Sequence, residues 1–124
     1  MNTKSPWQIG KTGEELAQKY LRSRGYEIVE TNFRIQGGEI DIIAQHGGRL
    51  LFVEVKTRTS EDFGSGEESI GIRKRDSIRR AMERYLTKNG LGEDADVQFD
   101  TIDLVLDPTT GELKTIHHLE DIEL

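Results

Sequence analysis

A pair of glycines, Gly47 and Gly48, lies in the middle of a stretch rich in β-branched and apolar residues, 38–58. A two-residue glycine loop accepts the positive φ angles of a tight hairpin turn, so the two halves of this stretch are predicted to be antiparallel strands. The turn also fixes which residues oppose each other. The resulting register sets Asp41 directly against Glu54.

The two faces of the predicted hairpin differ in polarity, because side chains alternate along a strand. One face is predicted to be core and carries Ile40, Ile42, Leu51, Val53 and Val55. The opposite face carries Ile43 and Phe52 together with Glu39, Asp41, Glu54 and Lys56. On that face we expect Glu39 to lie opposite Lys56 and to position the lysine.

The opposed carboxylates of Asp41 and Glu54 need a partner. Acids facing each other on a sheet lie about 5 Å apart at Cβ, and at an effective dielectric near 20 their repulsion is roughly 3 kcal/mol. Protonation of one acid, splaying into water, the neighbouring ammonium of Lys56, or a divalent cation held by both oxygens would relieve it. The alternative is a solvated polar face with no chemical role.

The composition excludes several classes of protein and site. A chain of 124 residues has the size of one domain. It contains no cysteine, which excludes disulfides, thiolate metal sites and thiol catalysis. No apolar run approaches the roughly 20 residues of a membrane span, so we expect a cytoplasmic protein with no membrane partner. The formal charge is −6, but residues 71–88 carry seven basic and two acidic side chains, so net charge does not exclude a polyanion partner.

The first helix is predicted from its capping residues. Ser5, Pro6 and Gln8 are typical of a helix start, and Thr12 offers a second candidate start. Gly25 is suited to the left-handed position that closes a helix.

Within this helix, Glu14 lies at the edge of the apolar stripe rather than on the solvent side. An acid that leans toward the sheet requires an explanation. A role beside Asp41 is one, and a favourable interaction with the helix macrodipole is the other.

The remaining chain alternates between strand and helix patterns. Strands are predicted at 26–35, 97–106 and 113–119, and a second helix at 72–89. The polar loop 59–71 is expected to be mobile and to overhang the hairpin face. The predicted fold class is α/β, with a mixed central sheet flanked by helices in the order αβββαβ and an additional last strand.

The second helix carries a basic stripe. On a helical projection, Arg73, Arg80, Arg84 and Lys88 fall within one arc, which could follow phosphates or could be an ordinary solvated face. Lys74 differs, because it projects into the apolar arc and is expected to point toward the hairpin.

Two other motifs carry no chemistry. The sequence GKTG at 10–13 lacks the spacing of a phosphate-binding loop and follows no strand. The adjacent His117 and His118 would face opposite sides of a strand, so they are a poor pair of metal ligands and are predicted to be structural.

The remaining constellation resembles a known group of nucleases. Asp41, followed by Glu54 and Lys56 on a hairpin that comes after a helix bearing Glu14, looks like the PD-(D/E)XK nuclease superfamily. One departure is that Ile40, rather than proline, precedes the aspartate.

Four segments narrow the resemblance to one family. They are GxxGE at 10–14, GEID at 38–41, FVEVKTR at 52–58 and RKR at 73–75. Together they resemble the uncharacterised bacterial YraN family, which is similar to archaeal Holliday-junction resolvases. The resemblance implies a restriction-endonuclease-like core and a single nuclease-like domain over residues 1–124.

The resemblance also implies a role for each residue of the constellation. Asp41, Glu54 and the backbone carbonyl of Val55 would bind Mg²⁺, for which Mn²⁺ would substitute. Lys56 would orient or deprotonate the attacking water, and Glu14 would add an outer ligand or contact a second metal ion.

The implied function is a metal-dependent endonuclease. Its nucleic-acid substrate would be DNA in preference to RNA, with branched or junction DNA as a candidate. Lys74 would contact phosphate, and the resolvase-like relatives are homodimers. The alternative is a non-catalytic module that keeps the fold and binds nucleic acid or protein.

Overall fold

The computed structural model describes residues 3–59 and 72–124, which form two helices and five strands. In chain order these are α1 (Pro6–Ser23), β1 (Glu27–Ile35), β2 (Gly38–His46), β3 (Arg49–Arg58), α2 (Ile72–Lys88), β4 (Val97–Leu106) and β5 (Leu113–Leu119). The predicted α/β class and the restriction-endonuclease-like αβββαβ order are confirmed, with β5 as the additional strand. The predicted behaviour of the loop at 59–71 concerns residues that, apart from Thr59, lie outside the described ranges.

Helix α1 begins where the capping residues predict. The Ser5 backbone N–H donates to Gln8 Oε1 at 2.8 Å, and the Gln8 N–H donates to Ser5 Oγ at 3.2 Å, with Pro6 at the first helical position. This reciprocal pair satisfies two N–H groups that the helix itself cannot. Gly25 follows the helix with a φ of 91°. The alternative start at Thr12 is therefore wrong.

The five strands form one sheet in the order β1-β2-β3-β4-β5. All neighbours are antiparallel except β3 and β4, which run parallel. Gly47 and Gly48 form the predicted turn, with φ angles of 57° and 82°. From this turn the predicted register holds as far as the pair Ile42 and Val53.

Beyond that pair the predicted register is wrong. The pairing of β2 with β3 ends at Ile42 and Val53, so Asp41 is not paired with Glu54 in the ladder, nor Glu39 with Lys56. Strand β3 remains paired with β4 on its other side as far as Arg58. Glu39 is paired with Arg34 of β1, whose Nε is 3.4 Å from Glu39 Oε2.

The face assigned to Ile40 is also wrong. Ile40 packs with Ile43 on the α2 side of the sheet, whereas Ile42 packs on the α1 side. Regular alternation of side chains along β2 would place Ile40 and Ile42 on the same face of the sheet. The alternation breaks beside Asn32, which has a φ of 52° and lies between the β1 residues that pair with Ile42 and Ile40.

Each face of the sheet is covered by one helix. The buried cluster on the α2 side includes Phe33, Ile40, Ile43, Phe52, Ile78, Ala81, Tyr85 and Phe99. The cluster on the α1 side includes Ile9, Ala17, Leu21, Ile42, Leu51, Val53, Ile102 and Leu104. In the described ranges neither helix has the length and apolar character needed to cross a membrane.

Two glycines allow the helices to approach the sheet closely. A Cβ at Gly13 would overlap the side chain of Thr57 in β3, and a Cβ at Gly38 would lie 2.5 Å from the Ser77 carbonyl oxygen in α2. Gly13 directly precedes Glu14. These contacts therefore bring both helices against the end of the sheet where the acids lie.

Candidate functional site

The site lies where β2 and β3 separate. The Val55 backbone N–H, which faces the gap, donates to Asp41 Oδ2 at 2.8 Å. The Asp41 carboxylate thus accepts a hydrogen bond from a backbone N–H that the β2–β3 pairing leaves without a partner strand. The carbonyl of Val55 faces the same gap, because the N–H and C=O of one residue point to the same side of a strand.

Glu54 is the most perturbed acid of the site. It is 7% exposed, and its Oε1 lies 3.2 Å from the Lys74 ammonium of α2. Burial, followed by the charge of Asp41, raises the pKa of Glu54 to about 7, against opposing effects from Lys74 and Lys56. The prediction that Lys74 points toward the hairpin is confirmed.

Asp41 responds to the same surroundings. Burial raises its pKa, and the negative charge of Glu39 adds to that rise. The hydrogen bonds from the Val55 N–H and from the Glu54 side chain act in the opposite direction. A carboxyl can donate to another only when it is protonated. A proton on one of the two acids and the Lys74 ammonium, 3.2 Å from Glu54 Oε1, would each reduce the repulsion predicted for the pair.

Glu14 reaches the site from α1. Burial and the charges of Asp41 and Glu39 raise its pKa, while a hydrogen bond with the Asn32 side chain lowers it. The helix begins at Pro6, so Glu14 lies more than two turns from its N-terminus, and the macrodipole acts only within the first turn. The macrodipole explanation for Glu14 is therefore wrong. Asn32, whose φ is positive, was not identified from the sequence.

Lys56 lies on the same face of β3 as Glu54 and is half-buried. Its neighbour in the parallel pairing is Asp103 of β4, a residue that sequence reasoning missed. Asp103 is 9% exposed, and its Oδ2 lies 3.5 Å from Arg58 Nη2. Its Oδ1 is buried and has no hydrogen-bond partner among the described residues. The sequence feature that could have identified Asp103 is its position as a charged residue within the largely apolar strand β4.

The basic stripe lies beside the start of the hairpin. Arg80 donates to the Gly37 carbonyl at 3.4 Å, and the Lys88 ammonium is 5.6 Å from the Phe33 ring centroid. Arg84 is exposed, and the side chain of Arg73 lies outside what the structure describes. The described members of the stripe are thus exposed on the edge of α2 that faces β1 and β2.

A second polar cluster lies on the α1 side of β4 and β5. Asp100, His118 and Glu120 offer ligand atoms within 4.8 Å of one another, so they form a possible metal-binding group that sequence reasoning missed. The inner polar atoms already have partners. His118 Nε2 donates to Asp100 Oδ2 at 2.6 Å, and its Nδ1 lies 2.8 Å from the Tyr20 hydroxyl. The burial of His118 agrees with the structural role predicted for it.

Comparison with known proteins identifies the family. The model of the uncharacterised protein family UPF0102 matches residues 13–105, which include every acid of the site described above. The chain belongs to the UPF0102 family. The YraN resemblance is thereby confirmed.

Family members of similar length come from several bacteria. The chain is 45% identical to a UPF0102 protein of Alkaliphilus oremlandii over 100 residues, covering 80% of this chain and 86% of the relative. It is 47% identical to one of Hahella chejuensis over 103 residues, covering 83% and 82%. These relatives carry the family name and no stated activity.

One solved structure was also found to be similar. It is that of a FdxN element excision controlling factor protein from Anabaena variabilis, with 14% identity and a TM-score of 0.40 over 86% of this chain and 98% of that one. A similarity at this level supports no inference about function.

Proposed function

We propose that this UPF0102 protein is a metal-dependent endonuclease that hydrolyses phosphodiester bonds in DNA. The observation that carries the proposal is the pair formed by half-buried Asp41 and buried Glu54 in a gap of the sheet. Burial, followed by the charge of Asp41, raises the pKa of Glu54 to about 7. Burying two acids against each other is costly. Strong pKa perturbation in such a setting is typical of functional sites.

The donor atoms around the gap fit a divalent cation. Asp41, Glu54 and the Val55 carbonyl present oxygen atoms only, which suits Mg²⁺ and, as a substitute, Mn²⁺. Glu14 would supply an outer ligand. A bound cation would offset the charge of the acids, polarise a phosphodiester and make water more acidic.

The lysines supply the complementary chemistry. Lys56 follows Glu54 on the same face of β3, where its ammonium would orient the attacking water and offset charge that develops on the phosphate. Asp103 lies beside Lys56 and would hold it in place. Lys74, partly exposed at the rim, would contact a phosphate oxygen of the bound strand.

The basic stripe supports a nucleic-acid substrate. Arg80, Arg84 and Lys88 are exposed along one edge of α2, on the side of the hairpin. Phosphate contacts of this kind position a substrate without reading its sequence. They also make its binding depend on salt. Branched or junction DNA remains the candidate substrate that the resolvase-like resemblance supports.

The decisive experiment is a cleavage panel. Purified protein would be incubated with junction, flap, single-stranded and duplex DNA, and with RNA, in the presence of Mg²⁺ or Mn²⁺. We expect Lys56→Ala and Asp41→Asn to reduce the cleavage rate by about 10²–10⁴-fold, the usual contribution of such groups. Lys114→Ala, which changes an exposed lysine on β5, is the matched control and should cleave as the unchanged protein does.

Two outcomes would contradict the proposal. One is absence of cleavage across the whole panel with folded protein and either metal ion. The other is residual cleavage that is equal in Lys56→Ala and in the unchanged chain, which would point to a contaminating nuclease.

One observation favours the alternative, a non-catalytic binding module. The Lys74 ammonium already lies 3.2 Å from Glu54, so the acids have an internal counter-ion and a cation is not required for their stability. Under this alternative the protein binds nucleic acid or protein without cutting it, and Lys74→Ala would lower the stability of the fold.

A further inference from the structure

A groove of about 430 Å³ lies between α1 and the strands β1 and β2 and reaches the candidate site. Trp7, Gly10, Lys11 and Glu14 line one side of it, and Arg34 contributes to the other. The four helical residues have the spacing i, i+3, i+4 and i+7, which puts them on one face of the helix. The groove therefore connects Trp7 with an acid of the site over two helical turns, or about 10 Å.

Trp7 is an unusual surface residue. It is the one tryptophan of the chain and is 70% exposed, the highest value among the large apolar side chains that the structure describes. The Lys11 ammonium lies 5.1 Å from its ring centroid, a cation–π arrangement that leaves a face of the indole available. An exposed indole beside a cation suits a planar, electron-rich ligand attached to an anion.

The opposite end of the groove is part of the candidate site. Glu14 and Glu39 line it, and their charges act on each other and on Asp41. Lys11 contributes positive charge beside Trp7. Arg34 also lines the groove, but its Nε lies 3.4 Å from Glu39 Oε2, so its charge is paired with that acid. A ligand that spans the groove would thus place an aromatic group and an anion at the outer end and its next anionic link near the acids.

We propose that this groove holds an unpaired nucleobase of the substrate, stacked on the Trp7 indole, with its phosphate beside Lys11. The proposal rests on the proposed nuclease function for the role of the neighbouring acids, and it names the substrate class. The substrate has a single-stranded segment next to the bond that is cut, because a base within a duplex has no free face for Trp7.

Gly10 gives an independent way to test the groove. A Cβ built at Gly10 meets no atom within 4 Å, so a side chain there would enter the groove without disturbing the protein. Replacement of a helical glycine also favours the helix. Gly10→Leu should therefore block the base without weakening the fold.

The experiment uses the fluorescence of Trp7, which reports on this position alone. The full chain would be titrated in EDTA, so that no cleavage occurs, with a single-stranded DNA oligonucleotide, its RNA counterpart and a blunt duplex of the same sequence. We expect quenching by the single strands and none by the duplex. The DNA and RNA arms show which of the two nucleic acids is preferred.

Labelled single strands would then be titrated with variants and followed by anisotropy. Trp7→Ala should weaken binding on the order of tenfold, the usual effect of losing one stacked base. Gly10→Leu should weaken it similarly, and Trp7→Phe should retain part of the affinity. Leu113→Ala removes another exposed apolar side chain, on β5, and should bind as the unchanged chain does.

The proposal is overturned if Trp7 fluorescence responds equally to duplex and single strand, or to neither. It is also overturned if Trp7→Ala and Gly10→Leu bind single strands as well as the unchanged chain. These results are separate from the fate of the nuclease proposal. If the protein cleaves DNA but Trp7 fluorescence does not respond, the base-binding proposal is wrong and the nuclease proposal stands. If Trp7 responds but nothing is cleaved, the groove binds a base in a protein that is not a nuclease.

Discussion

Glu54 and Asp100 are both buried carboxylates, on neighbouring parallel strands of one sheet, and their surroundings differ. Asp100 is fully buried and accepts hydrogen bonds from Gln98 Nε2, His118 Nε2 and the Asp121 N–H, at 2.9, 2.6 and 2.8 Å. Glu54 lies beside another acid, Asp41, whose charge raises its pKa, and its Oε1 is 3.2 Å from the Lys74 ammonium at the rim. Asp100 thus has three hydrogen-bond donors within the protein, whereas Glu54 has another acid and one ammonium beside it. This perturbed setting is the reason that the proposed function is placed at Glu54 and not at Asp100.

The largest expected effect concerns Asp100. Asp100→Asn keeps the shape of the side chain but turns an NH₂ group toward one of the three donors. Removing the charged acceptor of three buried hydrogen bonds leaves a donor unsatisfied and costs about 3 kcal/mol, so we expect a loss of that order in the free energy of unfolding, measured with denaturant. Glu120→Gln, at an exposed member of the same cluster, should change it by about 0.5 kcal/mol or less. A loss below about 1 kcal/mol for Asp100→Asn would show that the cluster is not structural.

Glu54 should show the opposite behaviour and a dependence on pH. Its pKa in the folded protein is about 7, above its ordinary value of 4.5. The stability that the protonated carboxyl provides is fully present below the ordinary pKa and is lost as the pH rises through about 7. The difference between the two pKa values corresponds to roughly 3 kcal/mol in the free energy of unfolding.

Glu54→Gln cannot ionise. We therefore expect it to unfold with less dependence on pH between 5 and 8, and to be more stable than the unchanged chain at pH 8 by up to about 3 kcal/mol. Denaturant unfolding at several pH values measures both. Parallel pH profiles for the two proteins would contradict the raised pKa.

Metal binding distinguishes the two clusters directly. At pH 8 the melting temperature should rise with Mg²⁺ or Mn²⁺, since a ligand at one hundred times its dissociation constant adds about 2.7 kcal/mol. The rise should disappear in Glu54→Gln and persist in Glu120→Gln. The reverse pattern would assign the metal ion to Asp100, His118 and Glu120, and would overturn the proposed site.

The smallest expected effect concerns Tyr20, at the edge of the cluster formed by Asp100, His118 and Glu120. Tyr20→Phe removes the hydroxyl that lies 2.8 Å from His118 Nδ1. We expect a loss of about 1 kcal/mol in the free energy of unfolding and no change in the metal-induced rise in melting temperature. A larger loss would indicate that the hydroxyl, the imidazole and Asp100 act as one cooperative network.

Local sequence signals predicted most of the fold. The capping residues set the start of α1, and Gly47 and Gly48 set the register of the hairpin as far as Ile42 and Val53. The helical projection of α2 predicted that Lys74 would point to the hairpin, and it contacts Glu54. Each of these features depends on residues that are close in sequence.

What the sequence did not predict depends on contacts between distant segments. The hairpin opens beside Asn32, whose positive φ is invisible in a strand pattern. On the other side of β3, strand β4 runs parallel to it, which makes Asp103 a neighbour of Lys56. The structure does bring Glu14, Asp41 and Glu54 close together, while the contacts around them depend on strand pairing that no local pattern encodes.

The turn at Gly47 and Gly48 is a suitable place to insert a label or an anchor. No atom lies within 4 Å of a Cβ built at either glycine. Glu54 is six residues beyond Gly48, or about 20 Å at 3.4 Å per residue. Extra residues that carry a fluorophore or a surface anchor could be inserted at this tip while the acids and the tryptophan groove stay clear. Single molecules could then be tethered with the candidate site facing away from the support.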